Sequence, residues 1–178
     1  TINSKDRWDG TPLADAVRHG HKAVADMIFK RSGELGFDES TEAGELCELA
    51  RKGDLERLKI LLSCGCQVGS ADYDKRTALH LAASEGNMTI VAELMEHSKN
   101  NLSFQDRWGG TPLADAVREG HSGVVRILVE GKANLGFSEV QTASQLCELS
   151  HVGDIERVRL LILAGCTVNC ASYDQRTA

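Results

Sequence analysis

The sequence has few aromatic residues, only two prolines, and no cluster of basic residues. Aromatic side chains make up 4% of the 178 residues, so a packed core has to be built mainly from Leu, Ala, Val and Ile. The formal net charge is −6 and no run is rich in Lys or Arg, which argues against a binding surface for nucleic acid. No apolar run approaches the roughly 18 residues of a membrane span, and no signal peptide is recognisable. These absences indicate a soluble, packed protein.

The two prolines mark a phrase that occurs twice. DRWDGTPLADAVRHGH, residues 6–21, returns as DRWGGTPLADAVREGH, residues 106–121, with 14 of the 16 positions identical. Within the hundred residues between them, similar phrases end at regularly placed glycines, which are Gly20, Gly53, Gly86, Gly120 and Gly153. Their spacing is 33 or 34 residues, so the repeating unit is about 33 residues long and the longer echo spans three units.

Each unit predicts two helices. A Thr such as Thr11 can cap a helix through its hydroxyl, Pro or Ala follows at the first helical position, and Gly ends the helix with a positive φ. The first helices are predicted at PLADAVRH, ELCELARK, ALHLAASE, PLADAVRE and QLCELSHV. The second helices carry an apolar stripe at positions i, i+3, i+4 and i+7, and are predicted at AVADMIFK, DLERLKILLSCG, MTIVAELMEH, GVVRILVE and DIERVRLLILAG. One such pair cannot bury its own apolar face, so the pattern predicts a solenoid of stacked pairs.

The phrases RTALHLAASEGN and GGTPLADAVREGH resemble ankyrin repeats, and the resemblance covers almost the whole chain. It implies an all-α solenoid with β-hairpin-like turns, in a single domain with repeats at about 5–37, 38–70, 71–103, 104–137 and 138–170 and a partial repeat at 171–178. The second and fifth repeats lack the TPLH-like start, so their turns are expected to differ. Asp15 and Asp115 stand where many ankyrin repeats carry an apolar residue, and pairing with a nearby Arg is expected.

The resemblance is narrower than the family as a whole. YDKRTALHLAASEG followed by DRWGGTPLADAVREGH is similar to the ankyrin modules of integrin-linked-kinase-like and Raf-like plant kinases, of glutaminases, and of plant or protist potassium channels. It implies that the sequence is a segment of a larger protein.

The candidate partner-binding residues are those that the resemblance places at turn tips or on the inner-helix face. They are Arg7, Trp8, Arg18, His19, Tyr73, Asp74, Arg76, Glu85, Arg107, Trp108, Arg118, Glu119 and Tyr173. Trp, Tyr and Arg are the residue types that most often anchor interfaces. A structural alternative is favoured, because the phrase DRW is copied between repeats: the two tryptophans would pack flat on the next turn and Arg7 and Arg107 would pair with acids.

Other reactive residue types have structural interpretations. The pairs Cys64–Cys66 and Cys166–Cys170 are three repeats apart, so they cannot supply four convergent metal ligands, and buried thiols in a reducing cytoplasm are expected. His21 and His121 are expected to hydrogen-bond to backbone. The LGF phrases at 35–37 and 135–137 are expected to form hydrophobic plugs between repeats.

No nucleophile–base pair and no phosphate-binding loop is recognisable, so an enzyme and a cofactor site are not expected. The leading hypothesis is a scaffold that binds another protein through turn tips and the concave inner-helix face. The first alternative is a domain that regulates another domain of the parent protein in cis. The second is self-association through the open C-terminal end of the stack.

Overall fold

The computed structural model describes residues 2–7, 10–98 and 101–167, and these residues form ten α-helices in five consecutive pairs. We number the pairs as units 1 to 5. Unit 1 contains α1 (Pro12–Arg18) and α2 (Lys22–Phe29), and unit 2 contains α3 (Glu39–Lys52) and α4 (Leu55–Ser63). Units 3, 4 and 5 contain α5 (Ala78–Ser84) and α6 (Met88–His97), α7 (Pro112–Glu119) and α8 (Ser122–Glu130), and α9 (Glu139–Val152) and α10 (Ile155–Leu163). The predicted all-α repeat solenoid is confirmed.

The units stack in chain order in two rows. The first helices α3, α5 and α7 pack side by side, and the second helices α2, α4, α6, α8 and α10 form the other row. The two end junctions differ from the middle ones, because α1 reaches unit 2 mainly through α4 and α7 reaches unit 5 mainly through α10. The first helices are therefore less closely packed against each other at the junctions of units 1 and 2 and of units 4 and 5.

Leucine at equivalent positions in successive units builds the core. The first helices each bury one leucine almost completely, at Leu13, Leu46, Leu79, Leu113 and Leu146. In the second helices of units 2 to 5 the equivalent buried residues are Leu61, Leu94, Leu128 and Leu161. The predicted core of aliphatic residues is confirmed, and its regular register follows from the 33-residue period.

Thr side chains begin the first helices of units 1, 3 and 4. The Thr11 and Thr111 hydroxyls accept hydrogen bonds from the backbone N–H groups of Ala14 and Ala114, at 3.2 and 3.3 Å. Thr77 instead forms a capping box with His80, whose Nδ1 accepts from the Thr77 N–H at 3.1 Å. An isolated bridge between Ala71 and Thr77 closes the turn of unit 3. The predicted capping role of Thr is confirmed.

Units 2 and 5 differ from the sequence prediction in where their first helices begin. α3 begins at Glu39 and α9 at Glu139, whereas ELCELARK and QLCELSHV placed these starts at Glu45 and Gln145. The Asp38 side chain caps α3 by accepting from the Thr41 N–H at 2.7 Å, and Ser138 caps α9 in the same way. Helix thus replaces the tip turn in these two units.

The glycines that separate the two helices of each unit have φ angles between 72° and 80°. They are Gly20, Gly53, Gly86, Gly120 and Gly153. Because an L side chain is strained in this left-handed region, the regular glycines follow from backbone geometry, as predicted. The limits assigned to each repeat stay a prediction, and the partial repeat at 171–178 lies outside the described residues.

Candidate functional site

The tips of units 3 and 4 are joined by Arg107. Its Nη1 lies 3.1 Å from the Asp74 Oδ1, its Nη2 donates to the Tyr73 carbonyl at 3.0 Å, and its guanidinium carbon is 4.3 Å from the Tyr73 ring centroid. The Arg107 backbone N–H also donates to the Asp74 carbonyl at 2.9 Å. The predicted pairing of Arg107 with an acid is confirmed, and the pair spans two units.

Two aromatic side chains project from these tips. Tyr73 is 86% exposed and Trp108 is 68% exposed. The interpretation that Trp108 packs flat on a neighbouring turn is therefore wrong, because the contacts at this tip are made by the adjacent Arg107. Trp8 and Tyr173 lie outside the described residues. Arg7 is described and exposed.

The carboxylates of Asp72 and Asp106 accept hydrogen bonds from the backbone of their own tips. Asp106 Oδ1 accepts from the backbone N–H groups of Trp108 and Gly110, at 2.9 and 2.7 Å. Asp72 Oδ1 accepts from those of Asp74 and Arg76, at 2.9 and 2.8 Å. Hydrogen bonds from nearby backbone N–H groups to an Asp side chain stabilise Asx-type turns. The exposed rings of Tyr73 and Trp108 therefore project from a backbone that is held in one conformation.

Arg76 is half-buried at the base of the unit 3 tip. Its Nε lies 3.7 Å from Asp72 Oδ2, and this atom has no hydrogen-bond acceptor among the described residues. The side chain is therefore held by charge attraction within its own tip. Whether Arg76 contacts a partner stays a prediction.

The remaining candidates lie at the ends of the first helices. Arg18 Nε is 3.3 Å from Glu45 Oε1 in the next unit, whereas Arg118 pairs within its own unit, with Asp115 at 2.8 Å and Glu119 at 3.1 Å. Glu85 is exposed at the end of α5, and the His19 Nδ1 lies 2.8 Å from the Asp15 carbonyl. The stack thus separates the candidates into a tip group and a helix-end group.

Asp15 and Asp115 occupy the same place in the repeated phrase but differ in environment. Asp115 is buried against α5, and burial raises its pKa, while Arg118 and then His80 oppose the rise. Asp15 is exposed, because no unit packs on that side of α1 among the described residues. The expected pairing with a nearby Arg is confirmed for Asp115.

His121 ties unit 4 to unit 3. Its Nε2 lies 2.8 Å from the Ser84 carbonyl, so the predicted bond to backbone is present but crosses the unit boundary. The equivalent His21 is exposed and its ring stacks with that of His19, at 6.1 Å between centroids. Position in the stack decides which of two identical residues makes a structural contact.

The cysteines of the described residues are mostly enclosed. Cys47, Cys64 and Cys66 are buried free thiols, and burial raises the pKa of Cys47 and of Cys66 to about 12. Thiols with a raised pKa are poor nucleophiles and poor metal ligands. Cys166 is also buried, and Cys170 lies outside the described residues.

A cavity of about 330 Å³ opens on the first-helix side between units 4 and 5. Val117, Phe137 and Leu149 line its apolar part, and Arg118, Glu148 and Arg157 are among its polar lining residues. The LGF phrases form the expected apolar contacts, with Leu135 buried and Phe137 packed against the core. Phe137 and Glu148 were not among the predicted site residues. Both are identical to their counterparts Phe37 and Glu48, so the sequence signal lies in the neighbouring positions that differ between the two copies, which include Glu119 and Gln145.

Membrane-spanning helices and metal-binding clusters are both absent from the described part of the chain. None of its helices is long and apolar enough to cross a membrane. Residues 2–7, 10–98 and 101–167 bring together no group of three or more His, Cys, Asp or Glu that could hold a metal ion.

The sequence matches the family model for ankyrin repeats, in three copies, over residues 46–138. It is 46% identical over 87 residues to the potassium channel SKOR of Arabidopsis thaliana and 40% identical over 92 residues to the mitochondrial liver isoform of glutaminase of Rattus norvegicus. It is 39% identical over 105 residues to serine/threonine-protein kinase 12 of Arabidopsis thaliana. These matches cover 49%, 52% and 58% of this chain but only 10%, 15% and 23% of the three relatives.

Proposed function

This chain belongs to the ankyrin-repeat family, whose repeats generally mediate protein–protein interaction. We propose that it is a scaffold that binds a partner protein. The contact surface comprises the tips of units 3 and 4 and the neighbouring ends of the first helices. The single observation that carries the proposal is the pair of exposed aromatic side chains, Tyr73 and Trp108, on adjacent tips.

The chemistry of the tips supports this surface. Large aromatic side chains lose little conformational entropy for the area they bury, and they dominate the binding energy of many interfaces. Arg107 and Asp74 hold the two tips together, so a partner meets a surface that is already ordered. Preorganisation of this kind lowers the entropic cost of association.

The proposal is tested by capture of partners with variants of the tagged chain. The double variant Tyr73→Ala/Trp108→Ala removes both exposed rings, and Val24→Ala/Met27→Ala removes exposed apolar side chains from α2 as a matched control. We expect a defined set of proteins that the control variant retains and the tip variant loses. An identical set for all three forms of the chain would refute the proposed surface.

Binding of a captured protein is then measured with purified components. Substitution of an interface hot spot by Ala costs about 2 kcal/mol or more, so at least one of Tyr73→Ala and Trp108→Ala is expected to weaken the complex about thirtyfold. Arg7, Trp8 and Tyr173 belong to the proposed surface on the sequence resemblance alone.

Regulation in cis is a second candidate function. It is favoured by the short matched segments, which are 10–23% of the length of three relatives whose names describe a channel, a glutaminase and a kinase. In that case the bound partner is another domain of the same polypeptide. Sequencing of the complete reading frame discriminates, because an absence of any further domain removes this option.

Self-association is a third candidate function. Exposed apolar residues on α10, including Ile155, Ile162 and Leu163, favour contact between copies. A strict monomer in light scattering at high concentration would eliminate self-association.

We place the protein in the cytoplasm, where its buried free thiols stay reduced. We assign it no catalytic role, no cofactor and no nucleic-acid partner.

A further inference from the structure

Two junctions in the stack carry the same phrase but hold its arginine differently. At the junction of units 1 and 2, Arg18 crosses to unit 2, with its Nε 3.3 Å from Glu45 Oε1 and its guanidinium carbon 5.7 Å from the Phe37 ring centroid. Here a guanidinium belonging to the chain itself lies over the aromatic ring and next to a carboxylate.

At the junction of units 4 and 5 the arginine stays in its own unit. Arg118 contacts Asp115 through Nη2 and Glu119 through Nε, and its side chain is 63% exposed, compared with 41% for Arg18. Arg118 therefore forms its ion pairs within unit 4, whereas Arg18 pairs with a residue of the next unit. Phe137, the counterpart of Phe37, lines the open cavity of about 330 Å³.

Asp115, which α5 buries while its counterpart Asp15 is exposed, holds Arg118 at 2.8 Å, and two sequence differences add to this change. Glu119 stands where unit 1 has His19, which gives Arg118 a carboxylate on its own helix. Gln145 stands where unit 2 has Glu45, so unit 5 offers no charge to attract the guanidinium across the junction. Both changes draw the arginine away from the aromatic ring.

A third difference removes from Glu148 the ion pairs that its counterpart makes within its own helix. Glu48 pairs with Arg51 at 2.9 Å and with Lys52 at 2.8 Å. Its counterpart Glu148 is followed by His151 and Val152 at those positions, and it has no ion-pair partner among the described residues. The Arg157 guanidinium, which also lines the cavity, is turned to Asp154, with Nη1 3.5 Å from Oδ2.

We propose that this cavity receives an arginine side chain from the partner protein, seated on Phe137 and paired with Glu148. The inference deepens the proposed scaffold function and rests on it, because it names the chemistry of the partner segment. Arg18 over Phe37 shows that a guanidinium fits over the equivalent ring, although its carboxylate there is Glu45, and Glu148 is the acid that lines the cavity with Phe137. The two basic residues lining the cavity are already paired with acids. A cation over an aromatic face next to a carboxylate gains both a ring and a charge interaction.

The test is an NMR titration of the isotopically labelled 178-residue chain with the peptide acetyl-Ala-Arg-Ala-amide. A citrulline peptide of the same shape but without the charge serves as the matched probe. We expect the arginine peptide to shift the amide signals of Phe137 and Glu148 in a concentration-dependent way, and the citrulline peptide to bind about two- to fivefold more weakly. Equal effects of the two peptides, or no shift at these signals, would overturn the proposal.

Two variants locate the binding. Glu148→Gln, at an exposed position, is expected to weaken the arginine peptide about two- to fivefold. Glu119→His/Gln145→Glu removes the carboxylate that holds Arg118 Nε on its own helix and places one across the junction, so Arg118 is expected to move towards Phe137 and compete with the peptide. Unchanged binding in Glu148→Gln would overturn the assignment even if the double variant does not fold.

The outcome is separable from that of the partner-capture experiment. Peptide binding at Phe137 and Glu148 does not involve Tyr73 or Trp108. If the arginine peptide does not bind while partner capture still depends on Tyr73 and Trp108, only the arginine site is refuted. If the peptide binds but partner capture is unchanged by Tyr73→Ala/Trp108→Ala, the tip surface is refuted instead.

Discussion

Arg107 fastens the tip of unit 4 to that of unit 3, with its Nη1 atom 3.1 Å from the Asp74 carboxylate. Both side chains are more than a third exposed, so the charge attraction is screened by solvent. The same guanidinium also donates to the Tyr73 carbonyl and lies over the Tyr73 ring. Arg107 thus sets the spacing of two tips that are separated by more than thirty residues in the sequence.

A double-mutant cycle measures this link. Asp74→Ala and Arg107→Ala are expected to show a coupling of about 0.2–1 kcal/mol in the free energy of unfolding, the range for exposed ion pairs. Arg107→Ala alone should cost more than Asp74→Ala alone, because it also removes the Tyr73 contacts. Strict additivity of the two changes in urea denaturation would show that the pair is not formed in solution.

The buried stripe of the second helices is tested at Leu58. Its side chain is 0% exposed in α4, so Leu58→Ala is expected to lower the free energy of unfolding by about 2–5 kcal/mol. Leu163→Ala, at an exposed position of α10, is the matched control and should change it by less than about 0.5 kcal/mol. Similar losses in both variants would contradict the assigned faces.

Gly86 and Gly120 separate the cost of backbone strain from that of a contact between units. Both have positive φ angles, 73° and 80°, but a Cβ at Gly86 would lie 2.6 Å from the His121 Nδ1, whereas one at Gly120 meets no atom within 4 Å. Gly120→Ala should cost about 1–2 kcal/mol through strain alone. Gly86→Ala should cost more in thermal unfolding, because the His121 ring must also move away from the Ser84 carbonyl.

His121→Ala provides the control for this pair. Combined with Gly86→Ala, it removes the ring that the new methyl group meets, so the double variant should lose less stability than the sum of the two single variants. Additive losses, or equal losses for Gly86→Ala and Gly120→Ala, would mean that His121 does not lie against Gly86 in solution.

The buried Asp115 predicts an unusual pH dependence. Burial raises its pKa above the ordinary value of 3.8, although Arg118 and His80 act in the opposite direction and Asp106 reinforces the rise. The folded state therefore binds this proton more tightly than the unfolded state, and the contribution of Asp115 to stability falls as pH rises above 3.8.

The measurement is the stability of the natural chain relative to Asp115→Asn between acid and neutral pH. The natural chain should lose stability relative to the variant as pH increases, and Asp15→Asn, in the exposed copy of the phrase, is the control. A relative gain of stability with rising pH would show instead that the Arg118 pairing outweighs burial.

The repeat architecture could be predicted because its causes are local. The Thr caps, the regularly spaced glycines and the leucine register each reflect a constraint that recurs in every unit, and the ankyrin prediction is confirmed. The early starts of α3 and α9 were missed because the prediction was aligned on the Thr-Pro-Leu phrase. Asp38 and Ser138 cap these helices, and Ser138 forms a capping box with Gln141.

The surface could be predicted only in part, because it depends on contacts between units. The pairing of Arg107 with an acid is predicted from the sequence, but the sequence does not show that this acid is Asp74 of the preceding unit or that Trp108 stays exposed. Identical residues such as His21 and His121 behave differently because, within the part of the chain that the structure describes, only His121 has a preceding unit beside it. Whether the predicted residues bind a partner stays a prediction.

Differences in sequence and in position between two nearly identical units, rather than their shared phrase, set what the surface can bind. A crystal structure of the Glu119→His/Gln145→Glu variant tests this most directly. Arg118 is expected to cross to unit 5, with its guanidinium carbon about as close to the Phe137 ring as the 5.7 Å between Arg18 and Phe37. An Arg118 that remains on Asp115, with the cavity between units 4 and 5 still open, would contradict it.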